Sequence, residues 1–227
     1  MKKSATPFVL AAILTILWPS AALHAAPVRF IPLNDEIAAS KLSVRDSKAT
    51  TALKDLSPQK RSISYPCKLG KKPLLLVALD RKDAEGKPAT VEIVLPPTLK
   101  SPLVLILPDP QHPTGVRVIA LDDSSANFPW GSLRFFNSSI RSLMIRYGTE
   151  EKALTEGDTP TDITPGGDAR NVGVQLFDEK EPTKILYSAV WEHDPNVRKL
   201  IFIAPGADAK TQAIELKIIP EDQRVKK

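Results

Sequence analysis

The chain has 227 residues, with 31 Lys plus Arg against 26 Asp plus Glu and a formal charge of +5. That excess is small and dispersed, unlike the basic face of a nucleic-acid binder. A single cysteine, Cys67, excludes an internal disulfide, so stability has to come from packing, which a domain of this size achieves by burying roughly 70% of its unfolded surface.

Residues 1–25 read "MKKSATPFVLAAILTILWPSAALHA": two lysines, an apolar run from Phe8 to Trp18, a Pro-Ser break and small residues. This is the pattern of a secretory signal peptide, with cleavage expected after Ala25. The apolar run is about half the roughly 20 residues that a membrane-spanning helix needs. No cysteine stands at its end, the sole one being Cys67, so a lipid anchor is not expected. Loss of Lys2 and Lys3 lowers the formal charge to +3. The sequence thus predicts an exported protein, periplasmic or extracellular, with no stable membrane span after cleavage.

Beyond the leader, short apolar runs end in proline, glycine or aspartate, which is strand punctuation. Strands are predicted at 29–33, 74–79, 90–95, 103–107, 116–121, 132–136, 143–147, 172–177, 184–191, 199–203 and 213–219. "DEIAASKL" and "TTALKDLS" hint at a helical turn or two, or at a polar excursion over residues 35–64. Nineteen prolines after residue 25 leave little room for long helices. The expected class is all-β, an antiparallel, immunoglobulin-like β-sandwich following the signal helix.

The two halves echo each other. Leu79 and Phe177, Leu107 and Ala204, and Val116 and Ile214 correspond at offsets of 97 or 98, and "VRFIPLN" matches "LRFFN" at an offset near 105. Alternating strands also resemble one another by chance. Taken as real, the echo predicts a first β-unit over 26–126 and a second over 127–222, with a basic tail at 223–227.

The stretch "FPWGSLRFFNSSIRSLMIRYG" (128–148) concentrates aromatic residues and arginines. Alternation puts Leu133 and Phe135 on one face, and Leu143, Ile145 and Tyr147 on the core face of a second strand. Taken as a strand pair, its other face carries Arg134, Phe136, Met144 and Arg146, with Trp130 nearby. Aromatic and arginine side chains are those that carry interface energy, so Trp130, Arg134, Phe136 and Arg146 are the candidate partner-binding residues. Two other readings stand beside this one: the face is covered by the other unit, or Trp130 and Phe136 are stacking rings for a polysaccharide. Asn137 opens "NSS" and is expected to be a turn residue tolerating left-handed backbone.

No catalytic set emerges. Glu192, His193 and Asp194 are consecutive, and consecutive strand residues point to opposite faces. Cys67 precedes both His112 and His193, out of order for a copper-binding loop. Ser132 in "WGSLR" lacks the second glycine of a nucleophile elbow. "ITPGGDARN" follows no phosphate-loop lysine, and a turn with Gly166 or Gly167 at positive φ accounts for it. Paired carboxylates for glycoside hydrolysis stay open. Cys67, beside Pro66, reads as a small buried residue, against a thiol nucleophile or an intermolecular bridge. No metal and no cofactor are expected.

The segments "FPWGSLRFFNSS" (128–139), "ITPGG" (163–167) and "YSAVWEHDPNVRKLIFIAP" (187–205) resemble an uncharacterised family of exported bacterial β-sandwich proteins. The first unit shares in this only through "LPDP" and "ALDDSSANFPWG". The resemblance implies a β-rich fold, an exported location and a tight connection opened by Asn137, and it carries no functional residue over. This chain departs from the family pattern in "LTEGDTPTDITPGG", which is longer. The sequence therefore points to a non-enzymatic interaction or structural module for an envelope or extracellular protein. The alternative is a carbohydrate-binding module, with a hydrolase or metal enzyme behind it.

Overall fold

The computed structural model describes residues 25–68, 73–208 and 212–225. The predicted leader, Ala25 apart, and the end of the basic tail lie outside them. Among the described residues the protein is nearly all β, built as two similar units of eight strands each. The first unit runs β1 (Ala25–Pro32), α1 (Asp35–Ala39), β2 (Leu42–Arg45), β3 (Thr50–Ala52), β4 (Tyr65–Lys68), β5 (Leu74–Lys82), β6 (Pro88–Ile93), β7 (Pro102–Pro108) and β8 (Val116–Asp122). The second runs β9 (Leu133–Asn137), β10 (Leu143–Tyr147), β11 (Glu150–Leu154), β12 (Thr161–Ile163), β13 (Arg170–Asp178), β14 (Ile185–His193), β15 (Val197–Asp208) and β16 (Gln212–Asp222).

Each unit is a sandwich of two four-stranded sheets. Their orders are 4-1-7-8 and 3-2-5-6 in the first, 12-9-15-16 and 11-10-13-14 in the second. Adding eight to every strand number of the first unit gives the second. Pairing is antiparallel except for β1 with β7 and β9 with β15, which are parallel. The registers make the likeness residue-specific. Phe30 pairs with Val104 as Phe135 pairs with Ile201, and Leu42 with Ala78 as Ile145 with Leu176. The sequence echo is therefore a structural repeat.

Three apolar cores stack in series. One lies inside the first sandwich around Phe30, Leu76 and Ile106, and one inside the second around Phe135, Ile145 and Trp191. The third joins the units: Ile31, Leu103, Leu105 and Leu121 of the first meet Phe136, Leu200, Phe202 and Ile219 of the second. The two inner sheets are thus buried on both faces, which is why β7 reads "PLVLILP" with six consecutive buried residues. The outer strand β10 instead alternates buried and accessible positions. Phe136 and Phe202 stack across the parallel pair, ring centroids 4.9 Å apart.

Alternation on the inner sheets also sends Arg29, Arg198, Asp123 and Glu221 toward this middle layer, at one end of it. Arg61, on the approach to β4, joins them. Asp123 accepts from Arg29 at 2.5 Å and from Arg61 at 2.8 and 2.9 Å, and Glu221 accepts from Arg198 at 2.5 and 2.8 Å and from Arg29 at 3.2 Å. None of these five side chains is more than 11% exposed.

Several expectations need correcting. All eleven predicted strands exist, but residues 35–64 are not a mere polar excursion: they supply α1, β2, β3 and Arg61. "TTALKDLS" contributes β3 instead of a helical turn. The strands β9 and β10 are not a pair; they belong to opposite sheets of one sandwich. Asn137 ends β9, and the non-glycine residue with positive φ among the described residues is Asp55.

Removing one partner from a buried ion cluster leaves an uncompensated charge, which typically costs about 3–5 kcal/mol. Asp123→Asn is expected to lower stability by about that amount, read from the urea unfolding midpoint. Lys87→Ala, which breaks the solvent-exposed pair with Glu85, should leave the midpoint where it is.

Candidate interaction surface

The structure disperses the four residues singled out from the sequence. Arg134 is only 4% exposed and Phe136 only 2%, because β9 sits in an inner sheet whose outward face is covered by the first unit. Arg134 forms a two-pronged ion pair with Asp162, at 2.8 and 2.6 Å, and donates to the carbonyls of Asp122 and Asn127. Trp130 is half-buried beneath the Arg198 guanidinium, 4.5 Å from its ring centroid. Arg198 and Arg134 both also lie over Phe128, so the segment joining the units is clamped by two cations on aromatic faces. Arg146 is exposed on the outer sheet, held by Glu151 at 2.6 Å, Gln175 at 2.9 Å and the Phe177 ring. The expected shared patch is thus not formed. Trp130 and Phe136 are not a pair of open stacking rings either, since one lies under Arg198 and the other against Phe202.

The groups examined for chemistry also separate. Among the described residues no cluster of three His, Cys, Asp or Glu side chains is placed to hold a metal ion. Glu192 is exposed, while its neighbour His193 is buried with Nε2 unpartnered. Asp194 turns away, held below the usual carboxylate range by the Asn196 backbone N–H and by Arg224. His193 instead packs by Gly131, where the φ of +79° already strains any other residue and an added Cβ would come within 3.2 Å of the Pro195 backbone. His112 hydrogen-bonds Thr114 within its own turn. Gly166 and Gly167 both adopt the expected positive φ. Cys67 is buried in the first core, and burial, then Asp46, pushes its thiol pKa up to about 11.

Besides Arg146, the stretch 128–148 presents outward Ser138 and Ile140 of its loop, residues 138–142. Asn137, 1% exposed, fixes this corner. Its Nδ2 donates to the carbonyls of Arg141 and Leu154 at 2.9 and 2.8 Å, and its Oδ1 accepts from both the backbone N–H and the hydroxyl of Ser139. The Gly157 N–H donates to the Asn137 carbonyl, tying in the long 155–160 loop. At the apex stands Ile140, 81% exposed.

The repeat supplies an internal reference for that isoleucine. In the first unit the same connection is two residues longer, from Phe30 to Leu42 against Phe135 to Ile145. It forms α1, capped by the Asn34 side chain accepting from the Ile37 N–H, and plugs Ile37 into the core at 4% exposure. The shorter connection in the second unit has no room for this turn of helix and leaves Ile140 outside. Depressions of about 370 and 330 Å³ flank it. One is rimmed by the ion pair of Arg117 with Asp158, which bridges the two units, and the other by Arg141 with Asp178. By its composition "NSSIRS" is indistinguishable from a plain turn; the sequence signal for Ile140 is the unequal spacing within the echo.

Comparison with known proteins returns no matching family model and no curated relative.

Asn137→Asp keeps the acceptor for Ser139 but removes both carbonyl-directed donors. It should cost about 1–3 kcal/mol for the buried groups left unpaired, with faster amide exchange at Ser139 and Gly157 and none of that loss in the first unit. For Cys67, a thiol reagent at pH 8 is expected to label the native protein only as fast as it opens, and rapidly in urea, because the thiolate is suppressed by burial. Fast labelling of the native state would revive a reactive role.

Proposed function

We propose that this is an exported, non-enzymatic β-sandwich protein that engages a protein partner of the envelope or the extracellular space through the Ile140 corner. The export half rests on the leader-like residues 1–25. The interaction half rests on one contrast above all: equivalent connections place Ile37 in the core and Ile140 at 81% exposure.

Isolated exposed apolar residues are ordinary on protein surfaces, and Ile63 and Val94 are of that kind. Ile140 differs in its setting. It stands on a corner pinned by four Asn137 hydrogen bonds, so little conformational entropy is lost on docking. It is flanked by depressions with charged rims of both signs. An apolar anchor ringed by polar groups is the usual anatomy of a contact hot spot. Arg146, on the outer face of the same sheet as β10, extends the exposed surface beyond the corner.

The reading is tested by site-specific photo-crosslinking in the source cells, with the probe at Glu156 beside Ile140 and, as control, at Glu85 on the far β5–β6 turn. A discrete protein adduct from Glu156 alone is expected. Ile140→Asp should abolish it and weaken binding to the captured partner about tenfold or more, equivalent to about 1.4 kcal/mol. An adduct that persists in the Ile140→Asp variant, or arises equally from Glu85, rejects the corner as the contact.

A further inference from the structure

Strands β6 and β14 are counterparts in the repeat, and each is an edge of its outer sheet. An unpaired edge offers a row of backbone N–H and C=O groups to any further strand, and proteins blunt it with prolines, charges or short length. The first unit uses all three. β6 has six residues, opens with Pro88, follows the exposed Lys87 and carries the exposed Glu92.

β14 has none of these protections. It is nine residues long and contains no proline. The registers align the pair Gly173–Val190 with Leu75–Glu92, so Val190 stands where β6 has Glu92. At the same offset of 98, Leu186 stands for Pro88 and Ile185 for Lys87. Val190 is 69% exposed and Ile185 53%. Opposite Val190, Gly173 has nothing within 4 Å of the place a Cβ would take, so its own sheet leaves the valine uncovered.

The free side of β14 is also turned to accept a strand. The Gly148 N–H donates to the Gly173 carbonyl, so Gly173 directs its polar groups to β10. Bonded and non-bonded pairs alternate along an antiparallel ladder. Val190 and Ser188 therefore turn their N–H and C=O groups away from β13. Further along, the Glu192 carbonyl accepts from Lys199 Nζ at 2.7 Å.

We propose that β14 is a dimerisation edge: two copies of this chain join their outer sheets antiparallel through it, around a two-fold axis at Ala189. Ser188 of each copy then exchanges backbone hydrogen bonds with Val190 of the other, and the two Val190 side chains lie diagonally adjacent on the outer face. Lys184, just before the strand, comes beside Glu192 and Asp194 of the second copy, and the reverse holds at the other end. Both ends are thus matched by the chain's own charges, which selects a second copy over a foreign strand. One patch serves both partners, as a two-fold interface requires. This contact is separate from the Ile140 corner and does not rest on the function proposed for it.

The test compares the purified protein with an Ile185→Lys, Val190→Glu variant, which gives β14 the residues that the first unit has at those places. Mass in solution is followed by sedimentation over a range of concentrations, with amide hydrogen exchange resolved by residue. The unsubstituted protein is expected to show a monomer–dimer equilibrium in which exchange at Ser188 and Val190 slows as the dimer fills. The double variant should associate at least about tenfold more weakly, with an unchanged urea midpoint because both positions are exposed. Ile140→Asp should dimerise as the unsubstituted protein does. If the double variant loses its urea transition, Val190→Pro takes its place, since it removes one outward donor and leaves the β13 ladder intact. A protein that is monomeric at every concentration overturns the proposal. So does a dimer that survives the substitutions, or one that protects amides elsewhere but not at Ser188 and Val190.

Discussion

The arrangement depends on five charged side chains buried where the two inner sheets meet: Arg29, Arg61 and Arg198 around Asp123 and Glu221. Arg29, Arg61 and Asp123 come from the first unit and its exit, Arg198 and Glu221 from the second. Burial alone would disfavour the Arg198 charge and pulls its pKa down, while Asp123 and Glu221 push back. The backbone carbonyls of Asp123 and Phe128 accept its remaining donors. Such a cluster is weak evidence for net stability, since desolvation offsets most of the attraction. Its geometry is demanding, however. Sliding one sheet over the other by a residue would separate cations from carboxylates inside a dry layer. The apolar contacts around Phe136 and Phe202 hold the units together without direction; the ion cluster fixes their register. Arg61 Nη1 is left without a partner, so even here satisfaction is incomplete.

The surfaces that meet are equivalent faces of a repeated unit. Ile31 and Phe136, Leu103 and Leu200, Leu105 and Phe202, and Leu121 and Ile219 are counterparts, and each pair belongs to the middle core. Asp123 and Glu221 are counterparts too, at the ends of β8 and β16. One face thus serves both halves, as in a symmetric dimer's self-complementary interface. The symmetry is broken at the arginines. Arg29 joins the central cluster, whereas its counterpart Arg134 turns to Asp162 and to the carbonyls of the joining segment. That segment, with Phe128 fully buried under two guanidinium groups, is therefore part of the interface and not a free linker.

Much of this fold was legible because apolar patterning on long strands is a local property. The missed strands are short: "LSVR", "TTA", "YPCK", "EEKAL" and "TDI" offer too few positions for alternation to register. Four of them, β3, β4, β11 and β12, are sheet edges that exist by pairing with an inner neighbour. The candidate site was less legible, and for a different reason. Alternation correctly separated Arg134 and Phe136 from the core of their own sandwich, but not from the second unit waiting beyond that face. Which of two faces meets water is decided by segments some hundred positions away. "LRF" and "VRF" at equivalent places held the clue: an arginine repeated between core residues signals a buried counter-ion as readily as an exposed contact.

Once the inner faces are spent on each other, only the outer sheets and the sandwich ends are left to distinguish the halves. At the ends the repeat diverges by two residues. The longer connection forms α1 and closes its sandwich with Ile37. The shorter one is closed without any such plug, since Leu143, Ile145 and Leu154 are fully buried beneath it. Ile140 is consequently dispensable to the core that its counterpart completes, and an apolar side chain released from packing is free to serve at a surface. The polar network beneath it is not dispensable. Asn137 spends four hydrogen bonds on a loop that buries little, an investment that makes sense where the loop's shape matters more than its contribution to the core. Rigidity below and exposure above are separate consequences of one shortened connection.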